Sequence, residues 1–408
     1  MPTKPTTPTG KTDPRLRRAH LAVAAVFAVH GAVTGSFATR VPWIQEHAGL
    51  SAGQLGFALV FAALGASVAM PLAARVAHHM GMRNALRLLL GLWCASLALP
   101  ALSSGLGWLC GAMFVYGASA GMADVVMNAQ GVEVEERLGR SIMSGLHGMW
   151  SAGTLLGSLF GVLAAHAELD ARLHLTAAAV LLVVLGQVVC SGVLDLRPAA
   201  SEEAPARFAL PPRAALVIGA IGFCAVFAEG ASMDWSAVYL RDIAGASPGV
   251  AAASYTAFAC TMAVSRLLGD LVVRRFGPVR TVRFGGLLAT VGGVLVATAS
   301  AQVTTIAGFA LIGVGIAVVV PLCFAAAGRS GPNASQAIAG VATVTYTSGL
   351  VAPAAIGSIA EASSLQVSFG LVTLLAAGLA VGAGVLRRAG TVSVERDRKP
   401  VAATTPQA

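Results

Sequence analysis

Charge is scarce in this chain: Asp, Glu, Lys and Arg make up 11% of 408 residues, against 56% hydrophobic, and mean hydropathy is +0.77. So few polar groups cannot cover the surface of soluble domains, which excludes the two or three that the length would otherwise allow. Cysteine is sparse too. The six cysteines lack Cys-x-x-Cys spacing, so neither a disulfide framework nor a zinc site is indicated. The histidines do not cluster as ligands, and the adjacent His78 and His79 point apart on a helix. No glycine-rich phosphate loop ending in Lys-Ser or Lys-Thr occurs, and no length remains for an ATPase domain, which argues against ATP-driven work by this polypeptide alone. No nucleophile–base or metal constellation stands out, so the chain does not read as an enzyme and calls for no cofactor. Aromatic residues are only 6%, which suits a small solute better than a large lipid.

What the chain has instead is long apolar runs. Twelve are expected as spans: 19–39, 53–74, 84–102, 106–128, 142–165, 172–193, 213–239, 248–272, 283–300, 304–327, 337–360 and 366–386. About 20 apolar residues suffice for a helix to cross roughly 30 Å of hydrocarbon. The expected class is an all-α integral membrane protein. Its segments are an N-terminal tail (1–18), a six-helix bundle (19–193), a proline-rich linker (194–212), a second six-helix bundle (213–386) and a polar tail (387–408). Most arginines fall on joints that share one side with both tails, whereas Arg40, Arg172 and Arg241 fall on the other. By the positive-inside rule both termini face the cytoplasm, and the net charge of +9 is assigned to topology and anionic lipid rather than nucleic acid. The basic tail and first run do not read as a cleavable signal, because the run is too long and opens a series.

The halves repeat a cytoplasmic joint. ARVAHHMGMRNALR follows the second span and GDLVVRRFGPVRTVR follows the eighth, each with a glycine (Gly81, Gly277) at a tight turn and an arginine (Arg83, Arg280) just beyond. Such a pair implies duplicated bundles related by an axis along the membrane normal, a plan for alternating access. Arg83 or Arg280 can reach a neighbouring helix end, or an acid such as Asp270, and close the cytoplasmic face. The charged joint carrying Glu133, Arg137 and Arg140 reads first as solvated loop, with ion pairs that can bias a gate.

Acids inside apolar runs are expensive and mark candidate sites. Asp124 in the fourth span and His147 in the fifth are expected at similar depth, where they can share a proton or a hydrogen bond. That contact can serve solute or proton movement, or only join two helices. Asn128 lies four residues from Asp124 on the same face. Glu229, mid-span in the seventh between Ala228 and Gly230, is the leading proton carrier or ligand, with static helix packing the alternative. Asp234 lies nearer the outer face. Trp150 can stack on a sugar ring or pack within the bundle, and Tyr255 and Tyr346 are further candidate linings.

With these residues in hand, the chain resembles the major facilitator superfamily from Leu21 to Leu386. The family's Gly-x-x-x-Asp-Arg-x-Gly-x-Arg loop maps its last glycine and arginine onto Gly81 and Arg83. His78 and His79 stand where the aspartate and first arginine are expected. In the second copy Arg274 occupies the acid position, followed by Arg275, Gly277 and Arg280, with Asp270 four residues earlier. These departures put the aspartate-based latch in doubt, not the fold. GMADVVMNAQGVEVEERLGR, SIMSGLHGMWSAGTLLG and AEGASMDWSAVYLRD are similar to the bacterial YbjJ-like group, which includes a membrane protein implicated in rhizopine transport. The resemblance implies a multi-pass inner-membrane transporter working as a monomer, moving a small polar solute, sugar-like or polyol, with protons. Spans one and seven lie close in that fold, so Arg40 and Asp234 are expected to pair as an outer gate. Proton-driven export of an amphipathic compound, or a sensor or scaffold without transport, remain as alternatives.

Overall fold

The structure is a computed structural model, and it describes residues 13–139, 142–195, 213–328 and 334–387. Arg140, most of the 194–212 linker and most of both tails lie outside the described residues, as do the side chains of Asp270 and Tyr346.

The first half comprises α1 (Pro14–Ala38), α2 (Val41–His47), α3 (Ala52–Met80), α4 (Met82–Ser96), α5 (Leu106–Leu138), α6 (Met143–His166) and α7 (Ala171–Cys190). The second comprises α8 (Arg213–Asp242), α9 (Pro248–Phe276), α10 (Pro278–Thr298), α11 (Gln302–Ile316), α12 (Val319–Gly328), α13 (Ala334–Ala362) and α14 (Leu365–Gly382). Local sequence explains many of the boundaries. Asp13 caps α1 ahead of Pro14, and Ser51 with Gln54 forms a reciprocal capping box on α3. Gly81 and Gly277 both adopt φ +77°, a conformation that disfavours a side chain, and each ends one long helix and opens the next within a single residue.

Among the described residues ten helical segments are long and apolar enough to cross a membrane. The other two long helices are α9 and α13, each of 29 residues, about 44 Å at 1.5 Å per residue. Arg266 interrupts the apolar run of α9, and several side chains of α13 lie outside the described residues. The protein is an all-α, multi-pass integral membrane protein. Its apolar exposure fits lipid: Leu181, Val184 and Val188 line one face of α7, and Phe284, Leu287 and Val291 one face of α10.

Within the first half α1 packs along α6, α3 along α5, and α4 along α7; within the second α8 packs along α13, α9 along α11, and α10 along α11 and α14. Two seams join the halves, α3 with α13 and α6 with α9. The α1–α6 crossing is backbone-close, since a Cβ on Gly31 would fall 2.0 Å from the Trp150 carbonyl oxygen and one on Gly153 would fall 1.9 Å from that of Ala28.

Candidate functional site

A small pocket opens where α6 faces α8 and α9. Trp150, Ser151 and Thr154 come from α6, Glu229 and Met233 from α8, and Tyr255, Phe258, Ala259, Met262 and Arg266 from α9. Glu229 and Trp150 thus line one space. Arg266 is the residue that sequence reasoning missed. Its Nη2 donates to both carboxylate oxygens of Glu229, at 2.9 and 3.1 Å, and its Nε donates to the Ala317 carbonyl at 3.3 Å. Ala317 lies at the break between α11 and α12, where a carbonyl is released from the helical ladder and can accept from a side chain. Both partners of the ion pair are about a quarter exposed, so neither is sealed from the pocket. The signal was one arginine inside the apolar run that includes Tyr255 and Leu268, to be balanced against an acid of the preceding span, which carries Glu229 and Asp234.

Tyr255 is buried beside the pair, within electrostatic reach of Glu229, Asp234 and Arg266. Asp234 is likewise within electrostatic reach of both Tyr255 and Tyr116. The expected pairing of Asp234 with Arg40 is corrected here. Arg40 turns back into its own half and donates through Nη2 to the Leu169 carbonyl, beside Asp170. Burial lowers the Arg40 pKa from its ordinary range more than Asp170 raises it. That corner joins α1 to the α6–α7 turn instead of joining the halves.

The expected contact between Asp124 and His147 is also replaced. Asp124 accepts from the Asn128 amide at 3.0 Å, so those two residues do form one polar stretch of α5. His147 bonds the Met143 carbonyl of its own helix at 3.1 Å, and its ring lies 5.3 Å from that of Phe27. The histidine within electrostatic reach of Asp124 is His30 on α1, unremarked in the sequence because it is a single polar residue in an apolar run. Trp150 donates its indole N–H to His30 Nδ1 at 3.1 Å.

Arg83, next to the Gly81 turn, donates to the Val193 carbonyl at 2.9 Å and lies 3.9 Å from Asp195, so it meets the end of α7. Arg280 is exposed, and Arg275 sits 5.7 Å over the ring of Phe276. Glu133 and Arg137 pair at 2.6 Å on the surface of α5. The neighbouring Glu135 is more than a solvated charge. It accepts from the backbone N–H groups of Ile142 and Met143, capping the start of α6.

The ends of the helices opposite the Gly81 and Gly277 turns are where the halves meet most closely. Arg241, at the end of α8, donates to the Pro42 carbonyl and to Gln45 Oε1, the latter at 2.8 Å, and pairs with Asp242 at 2.5 Å. Gly53 donates its N–H to Glu361 at 3.1 Å, and the backbones of Gly56 and Gly357 touch.

The chain matches the family model of the Major Facilitator Superfamily over residues 23–349, and it belongs to that superfamily. An uncharacterized transporter of Sinorhizobium fredii is 34% identical over 370 residues, covering 90% of this chain and 97% of the relative. Membrane protein MosC of Rhizobium meliloti is 30% identical over 373 residues, covering 91% and 90%. Among solved structures, a D-xylose-proton symporter superposes with a TM-score of 0.72 at 15% identity, covering 90% of this chain and 97% of that one. The protein is therefore a multi-pass bacterial inner-membrane transporter, not an enzyme, of the class that carries small molecules by alternating access.

Proposed function

We propose that this transporter moves a small neutral hydroxylated solute, sugar-like or polyol, coupled to protons through Glu229. The observation that carries the reading is the Glu229–Arg266 ion pair, about a quarter exposed, at a pocket whose other wall is Trp150, Ser151 and Thr154. An aromatic face beside hydroxyls suits the mixed apolar and polar faces of a sugar ring. The similarity to the YbjJ-like group and the fold shared with a D-xylose-proton symporter support the same class.

Burying a charged pair is tolerable only while both charges persist, and removing one leaves the other costly by about 3–5 kcal/mol. A proton on Glu229 cancels the carboxylate and frees the guanidinium donors of Arg266 for a solute hydroxyl. Proton and solute then favour each other's binding, which is the thermodynamic content of coupling. The moving parts in this reading are two six-helix bundles, 19–193 and 213–386, which rock about the pocket in a monomer with both termini cytoplasmic. That orientation makes the Arg241, Gly53 and Gly56 contacts an outer closure, and the pocket faces the cytoplasm. Asp124, Asn128 and Asp234 extend the polar lining, while Gly81, Arg83, Arg275, Gly277 and Arg280 shape the cytoplasmic gate.

The test is uptake into sealed liposomes under an imposed pH gradient, across sugars, polyols and their amino derivatives, comparing wild type with Glu229→Gln. Solute-dependent proton movement lost in the variant supports the reading. Flux unchanged in Glu229→Gln removes Glu229 as carrier. Flux only of amphipathic drugs, or no flux with any solute, sinks the proposed solute class.

A further inference from the structure

We infer that His30, held as a neutral imidazole protonated on Nε2, is the positioning residue that sets Trp150 as a wall of the solute pocket. The functional meaning of that wall rests on the transport reading above, whereas the geometry does not. His30 is 6% exposed and lies on α1, away from the pocket lining, with Trp150 between. An indole nitrogen only donates, so the 3.1 Å contact from Trp150 Nε1 requires an unprotonated Nδ1. The ring proton of neutral His30 must then sit on Nε2, which lies 3.5 Å from the Ala120 carbonyl oxygen, the acceptor on that side. An imidazolium would set two N–H groups against each other.

The ring itself is fixed from the remaining sides. It stacks on Trp93 with centroids 5.1 Å apart and planes 29° from parallel, and the Trp93 indole N–H donates to the His30 carbonyl at 3.3 Å. Asp124 is the charged group that acts on it, one helical turn from Ala120 on the same face of α5. Four helices, α1, α4, α5 and α6, thus converge on one imidazole. Trp150 needs such a partner because its backbone is already committed. Its carbonyl abuts Gly31, leaving χ1 and χ2 as the freedom by which the indole could swing into the pocket.

Two conservative variants separate this role from general packing. The Asn side-chain oxygen falls near the place of Nδ1, whereas the longer Gln amide reaches the place of Nε2. The measurement uses full-length 15N-labelled protein in lipid, with the Trp150 indole resonance assigned by its loss in Trp150→Phe. In wild type, His30 Nδ1 should show the shift of an unprotonated imidazole nitrogen. His30→Gln should speed exchange of the Trp150 indole N–H with D2O by about 5-fold, the factor one net hydrogen bond is worth, while His30→Asn stays close to wild type. Melting curves identify any variant that fails to fold, and the wild-type nitrogen shift decides the matter even then. A protonated Nδ1, or equal exchange in both variants, overturns the inference. No solute is needed, so a failed transport screen leaves this result readable.

Discussion

The two sides of the pocket are built from different chemistry. The α6 side is neutral: Trp150, Ser151 and Thr154, with His30 behind them, engaged through ordinary hydrogen bonds and tight helix contact. The α8–α9 side carries the charges, Glu229 and Arg266, bonded to each other and to the α11–α12 break. Shape is concentrated in the first half and charge in the second. Variants of the two sides should therefore fail in different ways, one losing fit and the other losing coupling and stability.

The largest expected effect lies on the charged side. Arg266→Ala should destabilise the protein by about 3–5 kcal/mol, because Glu229 is left as an uncompensated partly buried charge. Adding Glu229→Gln should restore much of that loss in a detergent melt. An equal loss in the single and double variants would mean that Arg266 acts through packing alone. Next comes the backbone crossing behind the neutral wall. Gly153→Ala should cost about 1–3 kcal/mol through forced separation of α1 and α6, whereas Gly230→Ala, with open space around its Cβ, should stay within about 0.5 kcal/mol. Paired melting curves check the difference.

Removing the aromatic wall with Trp150→Ala should raise the half-saturation concentration of the carried solute by about 2- to 12-fold, with the proton-to-solute ratio unchanged. A changed ratio would place Trp150 on the charged side of the comparison. A similar magnitude applies to Arg241→Ala, which removes donors to Pro42 and Gln45 and should raise outer accessibility about 2- to 12-fold. Spin-label distances across that end would report it. The smallest effect belongs to Arg137→Ala on the exposed Glu133 pair, at most about 0.5 kcal/mol in the same melts.

The charged side was half legible in the sequence, and the neutral side less so. Glu229 announced itself because an acid in the middle of an apolar run has no cheap place in lipid. Arg266 did not, since it sits not far upstream of Arg274 and Arg275, and reading those as topology signals hid the one that turns inward. His30 carries no periodic signature, and its partners Trp93, Ala120 and Trp150 come from three other helices. Asp124 was matched with His147 on depth alone. Depth gives the height of a residue and leaves its azimuth open, and α6 is rotated so that Trp150 meets α1 while His147 is exposed. Arg40 shows the same limit, since its nearest carbonyl lies in the α6–α7 turn of its own half. The membrane class and the glycine turns survive because run length and local backbone preference decide them. Arg266 interrupts the apolar run of α9, on a helix packed against α6 and α11 where protein rather than lipid can answer its charge.

The joint at Ala317 has a mechanical consequence. A helix interrupted in mid-bilayer is a natural elbow, and its loose carbonyl is held by the same guanidinium that answers to Glu229. Under the proposed coupling, proton occupancy on one helix and bend angle on another would share a single linkage, like two doors on one latch. In that reading, releasing the carboxylate redirects a cation toward solute and loosens the elbow in one movement, so chemistry at the pocket reaches the α11–α12 break directly, without a relay of intermediate residues.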